Sequence, residues 1–169
     1  YVTATNFSSD TENLTGEKRS DKVAYVIEQS IKNSVTSAGY MEDGAAFYAL
    51  MNTNGLFAYN KSSMAKLSST IRTNDGTGSG RFEKNYVDVN KINGSGLADW
   101  AINRSKLSVN PQEIKPGRYT VILEHAAAAD MLSLCLNFMG SRWADEGRSY
   151  FSKKGGGTII GDTIADSKL

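Results

Sequence analysis

The stretch AAFYALMNTNGLFAYN, residues 45–60, carries the strongest turn signal in the chain. Its centre contains the pair Asn54-Gly55 between two apolar, aromatic runs, and Asn-Gly flanked by such runs is typical of a β-hairpin because both residues tolerate positive φ. Two further runs with strand-favouring residues follow it. The sequence therefore predicts an antiparallel β-meander with strands at 45–51, 56–60, 66–73 and 82–89.

Helical periodicity precedes and follows this meander. Between Glu17 and Gly39 the apolar residues recur at steps of three and four, which predicts an amphipathic helix of about five turns. Ser20-Asp21 or Thr15 is expected to cap its start, and Gly39 to end it. Residues 96–108 regain helical spacing. The apolar positions of the first helix are Val23, Val26, Ile27, Ile31, Val35 and Ala38.

The segment after Pro116-Gly117 changes character. Residues 119–123 form a compact run with β-branched side chains and predict a central strand. Residues 125–140, HAAAADMLSLCLNFMG, are almost wholly apolar, which is typical of a helix buried on most of its sides. The glycine-rich remainder, 141–169, is predicted to be a long loop or a strand without its partners.

These elements predict an α+β fold, an antiparallel β-meander flanked by helices and followed by a strand and a buried helix. The expected organisation is an extended polar segment (1–16), an α+β core domain (17–140) and a glycine-rich segment (141–169). Because the chain starts at Tyr1 and ends in this glycine-rich segment, it is expected to be a fragment of a larger chain, with a β-rich C-terminal domain beyond it.

Composition excludes several classes of protein. Among 169 residues, 19 Lys and Arg oppose 18 Asp and Glu, so the net charge of +1 does not favour a nucleic-acid partner. No apolar run approaches the roughly 20 residues that span a bilayer. The chain has one His and one Cys, so it cannot form an intrachain disulfide or, by itself, a zinc site of three or four nitrogen and sulfur ligands.

Several residues of the predicted buried helix are candidates for chemistry. His125 follows a predicted strand and opens the helix, where catalytic residues often lie, although a polar cap or a packed ring is the simpler interpretation. Cys135 is expected to pack as a small apolar side chain. Asp130, Ser133 and Asn137 follow one stripe, and they either line a cleft or make hydrogen bonds across a helix interface.

Glycine-rich loops offer weaker signals. Gly76, Gly78 and Gly80 alternate, but a strand rather than a helix follows them, so a flexible hairpin loop is expected instead of a phosphate-binding loop. Lys153–Gly157 resembles an anion-binding loop only loosely, and a mobile solvated loop is expected. The nearby carboxylates need a geometry that sequence does not show before they can act as acid and base. They are Asp145, Glu146, Asp162 and Asp166.

Whole phrases of the chain, from about Glu17 to Gly161, resemble the TldD/PmbA family, whose members are named modulators of DNA gyrase and regarded as metallopeptidases. The leading match is PGRYTVILE followed by HAAAADML, residues 116–132. The supporting matches are EKRSDKVAYVIEQSIKNS (17–34), NTNGLFAYNKSS (52–63), DGTGSGRFE (75–83) and SRWADEGRSYFSKKGG (141–156).

The resemblance implies a test at specific positions. The catalytic branch of the family carries H-E-x-x-x-H in this helix, with two zinc-binding histidines and a glutamate that activates water. Counted without gaps, those positions are Ser133, Leu134 and Phe138, and none can perform these roles. The chain therefore resembles the PmbA-type branch, which implies no catalytic, metal-binding or cofactor-binding residue in it.

What the family implies about function follows from that branch. The chain would be a non-catalytic subunit of a cytoplasmic peptidase that cleaves unstructured peptides in a closed chamber. Its partner would be a TldD-like metal-bearing subunit, with oligomeric assembly in the full-length protein and no nucleic-acid or membrane partner. Two alternatives stay open: a non-enzymatic module that binds a peptide or partner through the meander and glycine-rich loop, or a hydrolase that uses His125 with residues outside the chain.

Overall fold

The computed structural model of the protein describes residues 5–166, and it divides into two compact units between Lys115 and Pro116. Unit 1 contains a three-stranded antiparallel sheet with helices, and unit 2 contains two helices and irregular segments. The predicted α+β class, with an antiparallel meander flanked by helices, is confirmed. The predicted domain of residues 17–140 includes parts of both units, and its boundaries stay a prediction.

Unit 1 begins with two helices. The predicted extended segment of residues 1–16 instead contains a short helix, α1 (Ser9–Glu12), and its first four residues lie outside the described part of the chain. The amphipathic helix forms as α2 (Gly16–Lys32). Thr15 caps it, since the Lys18 amide donates to Thr15 Oγ1 at 3.3 Å. One of the two predicted caps is thus confirmed.

The end of α2 differs from the prediction. The helix stops at Lys32, and Ser34 has a φ of 53°, which turns the chain into strand β1. Gly39 is therefore not a helix cap but a residue within β1, where a Cβ would lie 2.1 Å from the carbonyl oxygen of Ser68. Pairing with a neighbouring strand has overridden the helical spacing of residues 35–39.

The sheet has three strands rather than the four predicted. They are β1 (Val35–Met51), β2 (Phe57–Thr73) and β3 (Ser79–Tyr86), in the order β1-β2-β3. The predicted strands 56–60 and 66–73 are one continuous strand. β1 begins at Val35, ten residues before the predicted start at residue 45, and it therefore pairs with all of β2. The predicted Asn54-Gly55 turn connects β1 and β2, with Gly55 at a φ of 85°.

Register determines which backbone groups each strand leaves free. β1 and β2 pair without a bulge from Val35 opposite Thr73 to Met51 opposite Phe57. At the turn the Asn52 amide donates to the Leu56 carbonyl at 3.1 Å, so even-numbered residues of β1 direct their amides and carbonyls at β2. The odd-numbered residues direct theirs outward, along the free edge of β1.

One face of the sheet carries the core. Helix α2 and helix α3 (Gly94–Leu107) pack on it, and a short 3₁₀ helix, Val89–Lys91, leads into α3. Ala65, Leu67 and Ile71 are at most 2% exposed and lie on the odd-numbered face of β2. The remaining members of the core cluster are Val26, Val35, Phe82, Val89, Ile92, Ala98, Ala101 and Ile102.

The alternating glycines have a packing role. A Cβ on Gly78 would lie 2.1 Å from the Ser105 carbonyl oxygen, and a Cβ on Gly80 would lie 2.2 Å from that of Ala101. The prediction of a hairpin loop is right, since the loop joins β2 and β3. It is wrong about the reason for the glycines, because Gly78 and Gly80 allow the backbone of α3 to approach β3.

Unit 2 contains α4 (His125–Asn137) and α5 (Ser141–Asp145). The predicted central strand at 119–123 is not formed in the described part of the chain, and Ile122 is 94% exposed. A β-branched run needs a neighbouring strand to become part of a sheet, and the described residues supply none here. The predicted helix is confirmed as α4, but it has no buried residue, so the prediction that it is buried is wrong for this chain.

Candidate functional site

Helix α4 holds the positions that the family resemblance singles out. Ser133 and Leu134 lie in its last turns and Phe138 is its C-terminal cap residue. Leu134 is 63% exposed and Phe138 is 42% exposed, so the helix presents apolar side chains to solvent at these positions. A hydroxyl, a leucine and a phenyl ring cannot coordinate zinc as two imidazoles do, nor activate water as a glutamate does.

The other candidates on α4 are exposed as well. Asp130, Ser133 and Asn137 share a stripe of the helix, as predicted, but that stripe faces neither a cleft nor another helix within unit 2. Cys135 is a free, exposed cysteine, which corrects the expectation that it packs in a core. His125 is the first residue of α4 and is exposed, with Glu124 as the N-terminal cap residue.

Three charged residues after α4, Arg142, Glu146 and Arg148, form a cluster of ion pairs. Arg142 Nε contacts Glu146 Oε1 at 2.8 Å and Arg148 contacts the other oxygen of the same carboxylate. Hydrogen bonds from Arg142 and then Arg148 hold the pKa of Glu146 below its usual range, so this carboxyl stays ionised and is poorly suited to act as a general acid.

The Lys153–Gly157 loop is a turn rather than an anion site. The Lys153 amide donates to the Gly157 carbonyl at 2.8 Å, and Ser152 and Thr158 pair across the turn. Lys153 Nζ lies 3.5 Å from Asp162 Oδ2, so a carboxylate of the chain already neutralises this lysine. The loop is thus closed on itself, with Gly155, Gly156 and Gly157 all at positive φ.

A cavity of about 260 Å³ lies next to this turn, lined mainly by apolar side chains. Asp162 is the carboxylate in its lining, and it forms the ion pair with Lys153. Among residues 5–166 no group of three or more His, Cys, Asp or Glu side chains is placed to hold a metal ion. The other lining residues are Met139, Ser141, Ala144, Phe151, Thr158, Ile159, Ile160, Gly161 and Ile164.

Comparison with known proteins adds one finding about the fold. No protein-family model matches the sequence, and no curated protein matches it significantly. One solved structure has the same fold. It is a crystal structure described as "a putative modulator of DNA gyrase" from Bacteroides thetaiotaomicron, with a TM-score of 0.71 and 18% sequence identity. The match covers 88% of this chain and 35% of that one, so this chain spans about a third of the other's length.

This likeness concerns the fold alone because the identity is low. The neighbour itself carries the gyrase-modulator description that the resemblance in the sequence led us to expect. Within residues 5–166, no helix combines the length and apolar character needed to cross a membrane.

The surface that sequence reasoning missed is the end of the β1–β2 hairpin. We call residues 44–60 the distal hairpin. β3 pairs with β2 only from Ala65 to Arg72, so the distal hairpin extends past the third strand. Phe47 is 71% exposed and Tyr48 is 69% exposed, on opposite faces.

A sequence signal for this surface exists. From Gly44 to Asn60 there is no charged residue, although 22% of the chain is charged. The run 45–51 is apolar at odd and at even positions, whereas a strand with one solvated face alternates apolar and polar residues. Such a run predicts that both faces are covered. Within unit 1 the large apolar side chains of the distal hairpin are exposed on both faces, which makes it a candidate interaction surface.

Proposed function

We propose that the chain is part of a TldD/PmbA-like protein of the PmbA-type branch, a non-catalytic subunit of a peptidase that acts on unstructured peptides. The observation that carries the proposal is the shared fold over 88% of the chain with a structure described as a modulator of DNA gyrase. The sequence phrases that resemble the TldD/PmbA family support the same proposal independently of the fold.

Helix α4 supports the assignment to the non-catalytic branch. Its three motif positions hold Ser133, Leu134 and Phe138, which lack the chemistry of a metallopeptidase. Outside the stripe of Asp130, Ser133 and Asn137 the helix is almost wholly apolar, and helices of this kind are buried in larger assemblies. Met131, Leu134 and Leu136 are each at least 60% exposed, which supports a partner or a further part of the protein that covers α4.

The proposal names a TldD-like metal-bearing subunit as that partner, with an unstructured peptide as substrate and the cytoplasm as the place of action. The active zinc centre and its activated water would belong to the partner. This chain would contribute to the wall of the chamber, where an apolar surface such as that of α4 excludes water and contacts extended peptides.

The test combines metal analysis with reconstitution. The purified chain is expected to contain no stoichiometric zinc and to leave a quenched fluorogenic unstructured peptide intact. A TldD-type protein from the same source is expected to co-elute with the chain, and the mixture to cleave the peptide until a chelator is added. Leu134→Glu, which places a charge on the apolar face of α4, should prevent co-elution, whereas Asp130→Asn on the polar stripe should not.

Two results would contradict the proposal. One is stoichiometric zinc on this chain alone, and the other is chelator-sensitive cleavage by it without a partner. Loss of such cleavage in His125→Ala would instead support the alternative in which the protein is itself a hydrolase. The binding-module alternative would gain support if the chain were a monomer that captured peptides without a TldD-type protein. The glycine-rich loop does not favour that alternative, because α3 already occupies the space beside Gly78 and Gly80.

A further inference from the structure

The tip of the distal hairpin carries a residue pair with a reactivity of its own. In the pair Asn54-Gly55 the backbone nitrogen of the glycine can attack the side-chain Cγ of the asparagine, because glycine has no side chain to obstruct the approach. The chain contains a second pair of this kind, Asn93-Gly94. Both pairs have the same local chemistry, so the fold decides which of them reacts.

The first pair lies where the asparagine side chain can rotate freely. Asn54 and Gly55 are both exposed at the end of the hairpin. The Asn54 backbone amide donates to Asn52 Oδ1 at 3.0 Å, whereas the Asn54 side-chain amide makes no hydrogen bond with another of the described residues 5–166. The Cγ atom of Asn54 can therefore turn toward the nitrogen of Gly55.

The attacking nitrogen is held by a single exposed hydrogen bond. The Gly55 amide donates to the Asn52 carbonyl at 3.2 Å, and this bond must open before the nitrogen can react. A Cβ built on Gly55 would meet no atom within 4 Å, so the space around the residue is open. Opening a solvated bond at a hairpin tip costs little free energy, because no buried contact is broken.

The second pair is held in place by a helix. Asn93 is exposed too, but it is the N-terminal cap of α3, and its Oδ1 accepts from Ser95 Oγ at 2.8 Å and from the Gly96 amide at 3.2 Å. Gly94 is half-buried, and a Cβ on it would lie 3.1 Å from the Lys22 carbonyl oxygen of α2. Attack at this pair would therefore undo the first turn of α3 beside α2.

We propose that Asn54 is a modification site, at which the folded chain undergoes selective deamidation with water as the co-reactant. The Gly55 nitrogen forms a bond to Asn54 Cγ, and the bond from Cγ to the side-chain nitrogen breaks. That nitrogen leaves as ammonia with the proton of the Gly55 amide, and a cyclic succinimide remains. Water then adds to either imide carbonyl and breaks its bond to nitrogen, which gives aspartate or isoaspartate without any oxidation or reduction.

Either product changes the surface of the distal hairpin. Residues 44–60 contain no charged side chain, and hydrolysis adds a carboxylate at their tip. Isoaspartate also adds a methylene carbon to the backbone of a turn in which Gly55 has a φ of 85°. The candidate interaction surface would thus gain negative charge with time and without an enzyme. The proposal does not depend on the peptidase assignment.

Peptide mass spectrometry of the whole chain, incubated at mildly alkaline pH, tests the proposal. In the folded chain we expect deamidation at Asn54 to be at least about tenfold faster than at Asn93. In denaturing urea the two rates should become similar, because α3 no longer protects Asn93. Three results would overturn the proposal: an Asn54 that stays intact in the folded chain, an Asn93 that reacts as fast, or the same rate ratio in urea.

Matched variants locate the reaction by charge. Deamidation gives the intact chain an additional negative charge, which isoelectric focusing separates. Asn54→Ser should prevent most of the accumulation of this acidic form. Asn93→Ser keeps a side chain that caps α3, so it should leave the accumulation unchanged. If the acidic form accumulates in Asn54→Ser as quickly as in the original chain, the reaction lies elsewhere and the proposal is refuted.

Discussion

The two halves of the β1–β2 hairpin share the same strands and one continuous register, and yet they differ in what covers them. Ile71, on the half next to β3, is fully buried, whereas Phe47, on the same face of the other half, is 71% exposed. The core residues of β2 lie between Ala65 and Ile71, beneath α2 and α3. Backbone pairing therefore extends further than the hydrophobic core.

The difference shows that strand formation and burial have separate causes. Backbone hydrogen bonds form along the whole length over which the two strands lie side by side, and the Asn54-Gly55 turn holds them together at the exposed end. Burial stops where the helices stop. The distal hairpin thus keeps regular structure without the stability that a core provides, which fits a surface that another molecule completes.

A large effect is expected to distinguish Gly80 of β3, beside the covered half of the hairpin, from Gly44 of the distal hairpin. Gly80→Ala should lower the free energy of unfolding by roughly 2–4 kcal/mol, because its Cβ would lie 2.2 Å from the Ala101 carbonyl oxygen and push α3 from β3. Gly44→Ala is the matched control, since no atom lies within 4 Å of its added Cβ. Urea denaturation measures both. Equal losses would contradict the packing role assigned to Gly80.

A loss of similar size is expected in a comparison of two large side chains on one face. Ile71→Ala should cost about 2–5 kcal/mol of stability because it leaves a cavity in the core. Phe47→Ala should change stability by no more than about 0.5 kcal/mol when measured at high dilution, since the ring is mostly solvated. A large loss for Phe47→Ala at high dilution would mean that the distal hairpin has a core of its own.

The smallest effect concerns an ion pair on the opposite face of the covered half. Lys66 Nζ lies 2.8 Å from Glu83 Oε1. The hydrogen bond from Lys66 lowers the pKa of Glu83, and the same bond raises the pKa of Lys66. The contribution of Glu83 is complete above the ordinary glutamate pKa, about 4.3. It should disappear as the pH falls through the lower pKa of the folded state.

Denaturation at a series of pH values between neutrality and strong acid checks this ion pair. In Glu83→Gln the free energy of unfolding should fall less steeply as the pH decreases, while the fold stays intact. The pKa of Lys66 is raised, so its contribution to the free energy of unfolding is complete at neutral pH and is lost only in strong base. The matched control is Asp10→Asn in α1, which removes a carboxylate away from the sheet's ion pair. If the free energy of unfolding of Glu83→Gln falls with decreasing pH as steeply as that of the original chain, the stabilising role of the Lys66–Glu83 ion pair is contradicted.

Local chemistry made parts of the fold predictable. The Asn54-Gly55 turn and the Thr15 cap act through the residues beside them, so sequence was sufficient to find them. The end of α2 was not predictable in this way, because residues 35–39 have helical spacing and become a strand only through pairing with β2. The continuity of β2 through residues 61–65, between the two predicted strands, has the same cause.

The candidate site divides along similar lines. Sequence placed Ser133, Leu134 and Phe138 on one apolar helix, and α4 confirms the helix. It did not foresee their exposure, because an apolar composition indicates that a helix will be covered without indicating by what. The distal hairpin was missed although its uncharged run was visible, because only the short span of β3 shows that the sheet ends before it.

The sequence by itself determined the Asn54-Gly55 turn, the helices α2, α3 and α4, and which residues stand at the three motif positions, since these depend on local residue identity and spacing. Tertiary structure alone decided where burial ends. Gly78 and Gly80 allow α3 to pack closely against β3, and the helices cover only the half of the hairpin beside them. The distal hairpin and the outer edge of β1 remain uncovered by these elements. Burial depends on which elements meet in space, and that information is spread over the whole chain.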